Sequence, residues 1–290
     1  MVFAIVGASG QTGSACVDTL LSQGKKVRVL IRRPELESKF LQKGCEVAVG
    51  SLTDLDFVTS AFQGTEGVYL YTPPTYDQPD FLSAAQNIID ICTSAVIATK
   101  PKHVVVLSTI GGELSEGTGV IVTGYLLERS LLKVNTKETG VTIIRAATFM
   151  ENFKPLMNVA REKGIFPSMF LPIEKKYAMI GIQDIGECAA EQLIAGPTGH
   201  KIVNLETSTR VSAQDFAKAI GKALHKDVVP IGVPQDQWKA TYLQQGMPEN
   251  VANGMVKVMK GFVENRIVFQ EDKTTVYGKR EVDEVVSSWL

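Results

Sequence analysis

Short apolar runs alternate along the first half of the chain with longer stretches in which apolar residues recur at helical spacing. The pattern predicts strands at 2–6, 26–31, 45–49, 67–71, 102–107 and 141–145, and helices at 12–21, 35–43, 55–62, 81–98 and 125–136. In 81–98 the residues spaced for burial are Ala85, Ile88, Ile89, Cys92 and Val96. Strands this uniformly apolar belong in a sheet covered on both faces, so the expected class is α/β with a doubly wound parallel sheet. The glycine-rich segment 117–123 fits neither period.

Beyond about residue 150 the alternation loosens. Residues 164–172 read as a loop, 177–180 as a short strand, 184–194 as a helix and 200–206 as another strand; 213–224, 236–244 and 250–265 then read as helices. The expected organisation is a large unit over 1–152 and a smaller mixed C-terminal unit over 153–290, with segments near 177–206 returning to the sheet.

The candidate chemistry begins where the first strand ends. Gly7, Gly10 and Gly13 recur with two residues between each, within Gly7-Ala-Ser9-Gly10-Gln11-Thr12-Gly13, and a helical pattern follows at once. Strand, glycine turn and helix in that order make a Rossmann-type dinucleotide site. A backbone that approaches a pyrophosphate tolerates no Cβ in the way, and the helix N-terminus offers N–H groups and a positive dipole end. The second strand closes on Arg32-Arg33-Pro34, with no carboxylate before Glu35. That end lies beside the adenosine ribose, where arginine matches a 2′-phosphate, so the expected cofactor is NADP(H). A solvated basic turn is the plainer alternative. Ser51 and Leu52 after the third strand, Thr72 and Pro73 after the fourth, and Ser108 and Thr109 after the fifth fall at the strand ends where ligands bind in open α/β sheets, as do Phe149 and Asn152 after the sixth.

Composition narrows the rest. With 290 residues, Lys plus Arg at 30 and Asp plus Glu at 31, the formal charge is -1, which gives no pull toward nucleic acid or a membrane surface. Cys16, Cys45, Cys92 and Cys188 are scattered without a C-x-x-C pair, as expected of buried thiols in a cytoplasmic protein rather than a disulfide framework or a metal site. No uninterrupted apolar run approaches the ~18 residues of a membrane span, and the apolar N-terminus is too short for a signal peptide. His103 reads as structural, and His200 and His225 have no partners that spell a triad or metal site. Phe149, Met150, Phe153, Phe166, Met169 and Phe170 make an apolar region that reads as inter-domain core, with a quinone-sized surface as the alternative.

These stretches together resemble the NmrA-like group of atypical short-chain dehydrogenases/reductases. The resemblance rests on the 7–13 turn, Ile31-Arg-Arg-Pro34, Thr148-Phe-Met-Glu-Asn152, Gln183-Asp-Ile-Gly-Glu-Cys-Ala-Ala190, and Thr274-Thr275 with a terminal helix after it. It implies a Rossmann domain that binds NADP(H), a smaller substrate domain and a cleft between them. It further implies one of two activities: reduction of a small quinone or related carbonyl, or sensing of the dinucleotide's redox state while regulating a protein partner. Oligomerisation is compatible with either.

Reductases of the wider superfamily carry Tyr-x-x-x-Lys in the helix after the fifth strand, where the phenol donates a proton and the lysine holds the nicotinamide ribose. This chain lacks that pair. Aligned back from Gly140 without a gap, the match is Tyr125-x-x-x-Arg129, the candidate catalytic residues; aligned on Glu128, the lysine position becomes Gly124 and the tyrosine position Val120. Both alignments stay open on sequence. A regulator that contacts DNA directly is disfavoured by the balanced charge and the lack of a recognition motif.

Overall fold

The computed structural model describes residues 1–196, 199–271 and 273–290. Its strands are β1 Val2–Val6, β2 Lys26–Ile31, β3 Glu46–Val49, β4 Gly67–Leu70, β5 His103–Thr109, β6 Gly140–Ala146, β7 Thr148–Phe149, β8 Ile165–Ser168, β9 Met179–Ile180, β10 His200–Thr207, β11 Val229–Gly232 and β12 Thr274–Gly278. The helices are α1 Gln11–Ser22, α2 Glu37–Gln42, α3 Leu55–Phe62, α4 Phe81–Thr99, α5 Val122–Leu131, α6 Leu156–Lys163, α7 Ile182–Ala195, α8 Ala213–Leu224, α9 Trp238–Gln244, α10 Glu249–Val263 and α11 Val282–Ser287.

The main sheet has eight strands in the order β12-β10-β6-β5-β4-β1-β2-β3, and the registered pairs within it are parallel. This is the doubly wound Rossmann order, continued on one side by β10 and β12. Period-two alternation explains why the strands are apolar throughout. Phe3, Ile5, Tyr69, Val105 and Ile144 face α1 and α7 on one side, while Ala4, Val6, Val68, Leu70, Val104 and Ile143 face α3, α4 and α5 on the other. All four cysteines are free and buried.

A third core holds the C-terminal elements together, and aromatic side chains fill it. Phe153 packs on Phe216 with ring centroids 4.7 Å apart, and Phe170 on Tyr177 at 4.8 Å. Met150, Phe166 and Phe170 are buried there with Phe153 and Met169 packed against them, so most of the apolar region singled out in the sequence is interior. Phe149 instead packs against the core beneath α1 and α7.

The loop expected at 164–172 contains β8, which pairs in parallel with β11. The helix expected over 125–136 begins earlier and ends earlier, because a one-turn 3₁₀ segment at Gly119–Ile121 leads straight into α5. That segment sits on α10: a Cβ on Gly119 would collide with the Gly254 carbonyl, and one on Gly254 would stand 2.6 Å from Val120. The glycines at 117–124 therefore serve close packing. α4, at 19 residues with a mean hydropathy of 1.4, is long and apolar enough to cross a membrane by length and composition alone. Its apolar face, with Ala85, Ile89, Ala95 and Val96, is spent on the sheet, as in a core helix.

Candidate functional site

The turn between β1 and α1 shows what each glycine is for. Gly7 has φ +67°, a left-handed conformation that costs glycine nothing, and a Cβ on it would run into the Tyr71 ring. A Cβ on Gly13 would collide with the Gly7 carbonyl, so its absence lets the helix settle on the turn. Gly10 is the N-cap of α1; it has no side-chain cap, and the first turn carries no acidic residue. The Gly10 N–H closes the turn onto the Gly7 carbonyl at 2.8 Å, and the first bond of the helix runs from the Ser14 N–H to the Gly10 carbonyl at 2.9 Å. The N–H groups of Gln11, Thr12 and Gly13 precede that bond and have no helical acceptor. An uncapped helix end without a compensating carboxylate is an anion site in waiting.

Side chains around this turn divide into supports and exposed groups. Ser9 and Gln11 are exposed beside it. Thr12 is buried, and its hydroxyl accepts a hydrogen bond from the Tyr69 phenol at 3.2 Å. The Thr12 side chain thus ties α1 to β4. Behind α1 lies α7, held in close contact because a Cβ on Gly186 would collide with Ala15 and stand 2.6 Å from the Cys16 nitrogen.

The start of α7 is itself anchored. Glu151 caps it by accepting from the Ile182 N–H at 3.0 Å. Burial holds the Glu151 carboxyl above the usual carboxylate range, against the pull of that hydrogen bond. Buried Asp184 accepts from Arg280 at 2.7 Å and from the Lys279 N–H at 3.1 Å, which fixes the end of β12 to the helix. Glu151 therefore has a structural position, while Asn152 beside it is exposed.

At the end of β2, Arg32 and Arg33 are exposed. Arg33 lies 3.9 Å from Glu35, a loose contact, and Arg32 makes no ion pair among the described residues. Ser51 and Leu52 are half-buried after β3, with the Ser51 hydroxyl 2.7 Å from that of Thr53. Asp54 caps α3 by accepting from the Phe57 N–H at 3.1 Å. After β4, Thr72 and Pro73 are half-buried, and the Thr72 hydroxyl is shut from solvent without a hydrogen-bond partner.

The edge between β5 and α5 has the opposite character. Arg145, closing β6, is buried and forks onto Glu128 of α5 with contacts of 3.0 and 2.7 Å. Its remaining nitrogen reaches Gln270 at 2.6 Å and Glu113 at 2.9 Å. Ser108 donates to the same Glu128 carboxylate at 2.6 Å, which turns the serine inward; Thr109 beside it is half-buried.

Gly124 lies one helical turn before Glu128 on the same face. A Cβ there would stand 2.7 Å from the Thr109 methyl and 3.2 Å from the Ser108 hydroxyl, leaving no room for a lysine stem. Val120 is buried against α10. Tyr125 and Arg129 lie one residue further round, Tyr125 half-buried and Arg129 exposed, and neither makes a side-chain hydrogen bond or ion pair among the described residues. The face that meets the end of β5 is therefore that of Gly124 and Glu128, and neither alignment puts a phenol and lysine pair there. The signals for Glu128 and Arg145 were in the sequence: a carboxylate among apolar helix positions, and an arginine closing an apolar strand, each of which needs a buried partner.

A model of the NmrA-like family matches residues 2–285. An NAD(P)H azoreductase from Xenophilus azovorans is 25% identical over 252 residues, covering 87% of this chain and 84% of that protein. Among solved structures, the triphenylmethane reductase of Citrobacter sp. complexed with NADP(H) aligns over 100% of both chains with a TM-score of 0.80 at 18% identity. An NADPH-dependent quinone oxidoreductase from Escherichia coli, complexed with NADPH, aligns over 99% of both chains with a TM-score of 0.80 at 20% identity. At these identities the structural likeness establishes the shared fold.

Proposed function

The chain belongs to the NmrA-like family, and from that premise we propose that it is an NADP(H)-dependent oxidoreductase acting on a quinone or similar conjugated acceptor. The observation that carries the reading is the uncapped, acid-free N-terminus of α1 behind its glycine turn. The residues fit the dinucleotide. The turn keeps its tight shape only without side chains at Gly7 and Gly13, which would strike the Tyr71 ring and the Gly7 carbonyl, and the buried, unpartnered Thr72 hydroxyl offers a polar group at the strand ends. In this reading the backbone from Gly10 to Gly13 holds the diphosphate, with Ser9 and Gln11 beside it. Arg32 and Arg33 hold the 2′-phosphate; Ser51, Leu52, Thr72 and Pro73 flank the adenosine; Thr109, Phe149 and Asn152 border the nicotinamide end.

Bound NADPH supplies a hydride. The chain's own part at the acceptor is chiefly to position it, because Ser108 is committed to Glu128 and Gly124 leaves no lysine to lower a phenol's pKa. An acceptor that becomes a stabilised anion suits such a site, since its proton can come from water or from Tyr125. The relatives, an azoreductase, a triphenylmethane reductase and a quinone oxidoreductase, are named for conjugated acceptors of this kind. We assign the acceptor to the cleft between the sheet edge and the elements after residue 152.

The purified protein should oxidise NADPH in the presence of simple benzo- and naphthoquinones, and Gly10→Glu, which sets a carboxylate in the cradle, should lose at least about 100-fold in NADPH affinity. Tight NADPH binding without turnover across a panel of quinones and carbonyls would overturn the reductase and leave a redox-sensing role with a protein partner.

A further inference from the structure

Two tyrosines leave β4 on the same side of the sheet, and they end in different circumstances. Tyr69 is fully buried and its phenol is satisfied by Thr12. Tyr71 stacks beyond it, with ring centroids 6.4 Å apart and planes 28° from parallel. It is only half-buried, and its hydroxyl makes no hydrogen bond among the described residues. The Tyr71 ring lies across the glycine turn, in the space a Cβ on Gly7 would need. Its hydroxyl and the Gly7 carbonyl are the atoms within 4 Å of where a Cβ on Gly10 would stand, at 3.4 and 3.2 Å. Gly10 is the uncapped N-cap of α1. The phenol is therefore a spare donor beside a helix end whose own N–H groups are also spare.

We propose that the Tyr71 hydroxyl donates a hydrogen bond to the diphosphate of the bound dinucleotide, adding a side-chain clamp to the backbone cradle. This rests on the dinucleotide reading above. Burial raises the phenol's pKa from its ordinary 10, so the group remains a donor across the neutral range. A neutral donor on a phosphate oxygen makes a charge-assisted bond, stronger than the same phenol would make to a carbonyl. The ring also brings rigidity, because two torsions place the hydroxyl and packing against Gly7 fixes both. The clamp grips what NADPH and NADH share, whereas Arg32 and Arg33 grip what distinguishes them.

That division sets the test. Tyr71→Phe keeps the ring over Gly7 and removes only the hydroxyl, so the ligand-free melting temperature should stay at the wild-type value. Calorimetric titration of the full-length protein should show NADPH and NADH each binding about 10- to 100-fold more weakly, by the same factor for both. Binding equal to or tighter than wild type for both ligands would overturn the clamp, as would a loss confined to NADPH. If the wild-type protein binds neither dinucleotide, the reading beneath the proposal fails, and that result is distinct from a wild type that binds and a variant that binds equally.

Discussion

The carboxyl edge of the sheet has two ends that treat charge in opposite ways. At the β1–α1 end the polar groups are chiefly backbone N–H groups of an uncapped helix, glycines keep the turn free of side chains at three positions, and no acidic residue in the first turn compensates the helix dipole. At the β5–α5 end the polar groups are side chains turned inward, where Arg145 and Ser108 bind the Glu128 carboxylate and Arg145 also reaches Gln270 and Glu113. One end presents its donors outward; the other spends most of its polar groups within the chain. A site with that asymmetry can anchor a dinucleotide firmly while offering little acid catalysis where hydride would arrive.

The largest effect should come from breaking the self-satisfied end. Glu128→Ala removes the forked partner of the buried Arg145 and the acceptor of Ser108, and should cost about 3 kcal/mol in urea unfolding, because two buried guanidinium nitrogens and a buried hydroxyl lose their acceptor while Glu113 and Gln270 hold only the third nitrogen. NADPH affinity of the folded variant should hold; a loss under about 1 kcal/mol would mean that the two ends are less different than the contacts imply. A smaller change is expected at the open end. Arg32→Ala with Arg33→Ala should lower NADPH affinity about tenfold and leave NADH nearly untouched; an unchanged ratio would return the pair to a solvated turn.

The last effect, absent at neutral pH, concerns the far end of β5. Burial of His103, 2.9 Å from the Thr142 hydroxyl, pushes its imidazole down from 6.5 to about 4. The unfolded chain then binds the proton first, so this contribution to stability is full above about pH 6.5, declines as the pH falls, and is gone near pH 4. His103→Gln should have a shallower acid limb in thermal unfolding. Parallel limbs for the two proteins would show that the acid sensitivity of the fold lies elsewhere.

What the sequence revealed follows the same contrast. The β1–α1 end is written in consecutive residues, because a tight turn and a close backbone approach are local demands that only glycine meets. The β5–α5 end is assembled from positions 108, 113, 128, 145 and 270, and no local pattern unites them. Tyr125 and Arg129 carry the right spacing for the reductase pair, yet helical geometry turns Gly124 and Glu128 toward the strand instead. Fold legibility divides likewise. The strands buried on both faces stood out as apolar runs, whereas β8 and β11 are four-residue segments that each contain a proline. Their parallel pairing joins distant parts of the chain, so neither period nor turn chemistry marked them.

The strand order is also a timetable. From β1 outward on its longer side the sheet is laid down in the order of synthesis, β4, β5, β6, β10 and then β12. The glycine turn and its neighbouring strands leave the ribosome early, but α7, which covers β4, β5 and β6 on the α1 side, is finished only at Ala195. Until then the face of Tyr69, Val105 and Ile144 lacks the half of its cover that α7 supplies, and the edge of β6 stays unpaired until His200–Thr207 arrives. The growing chain therefore spends its middle third as a half-built sheet with one sticky side, and that interval is when it most needs protection from its neighbours.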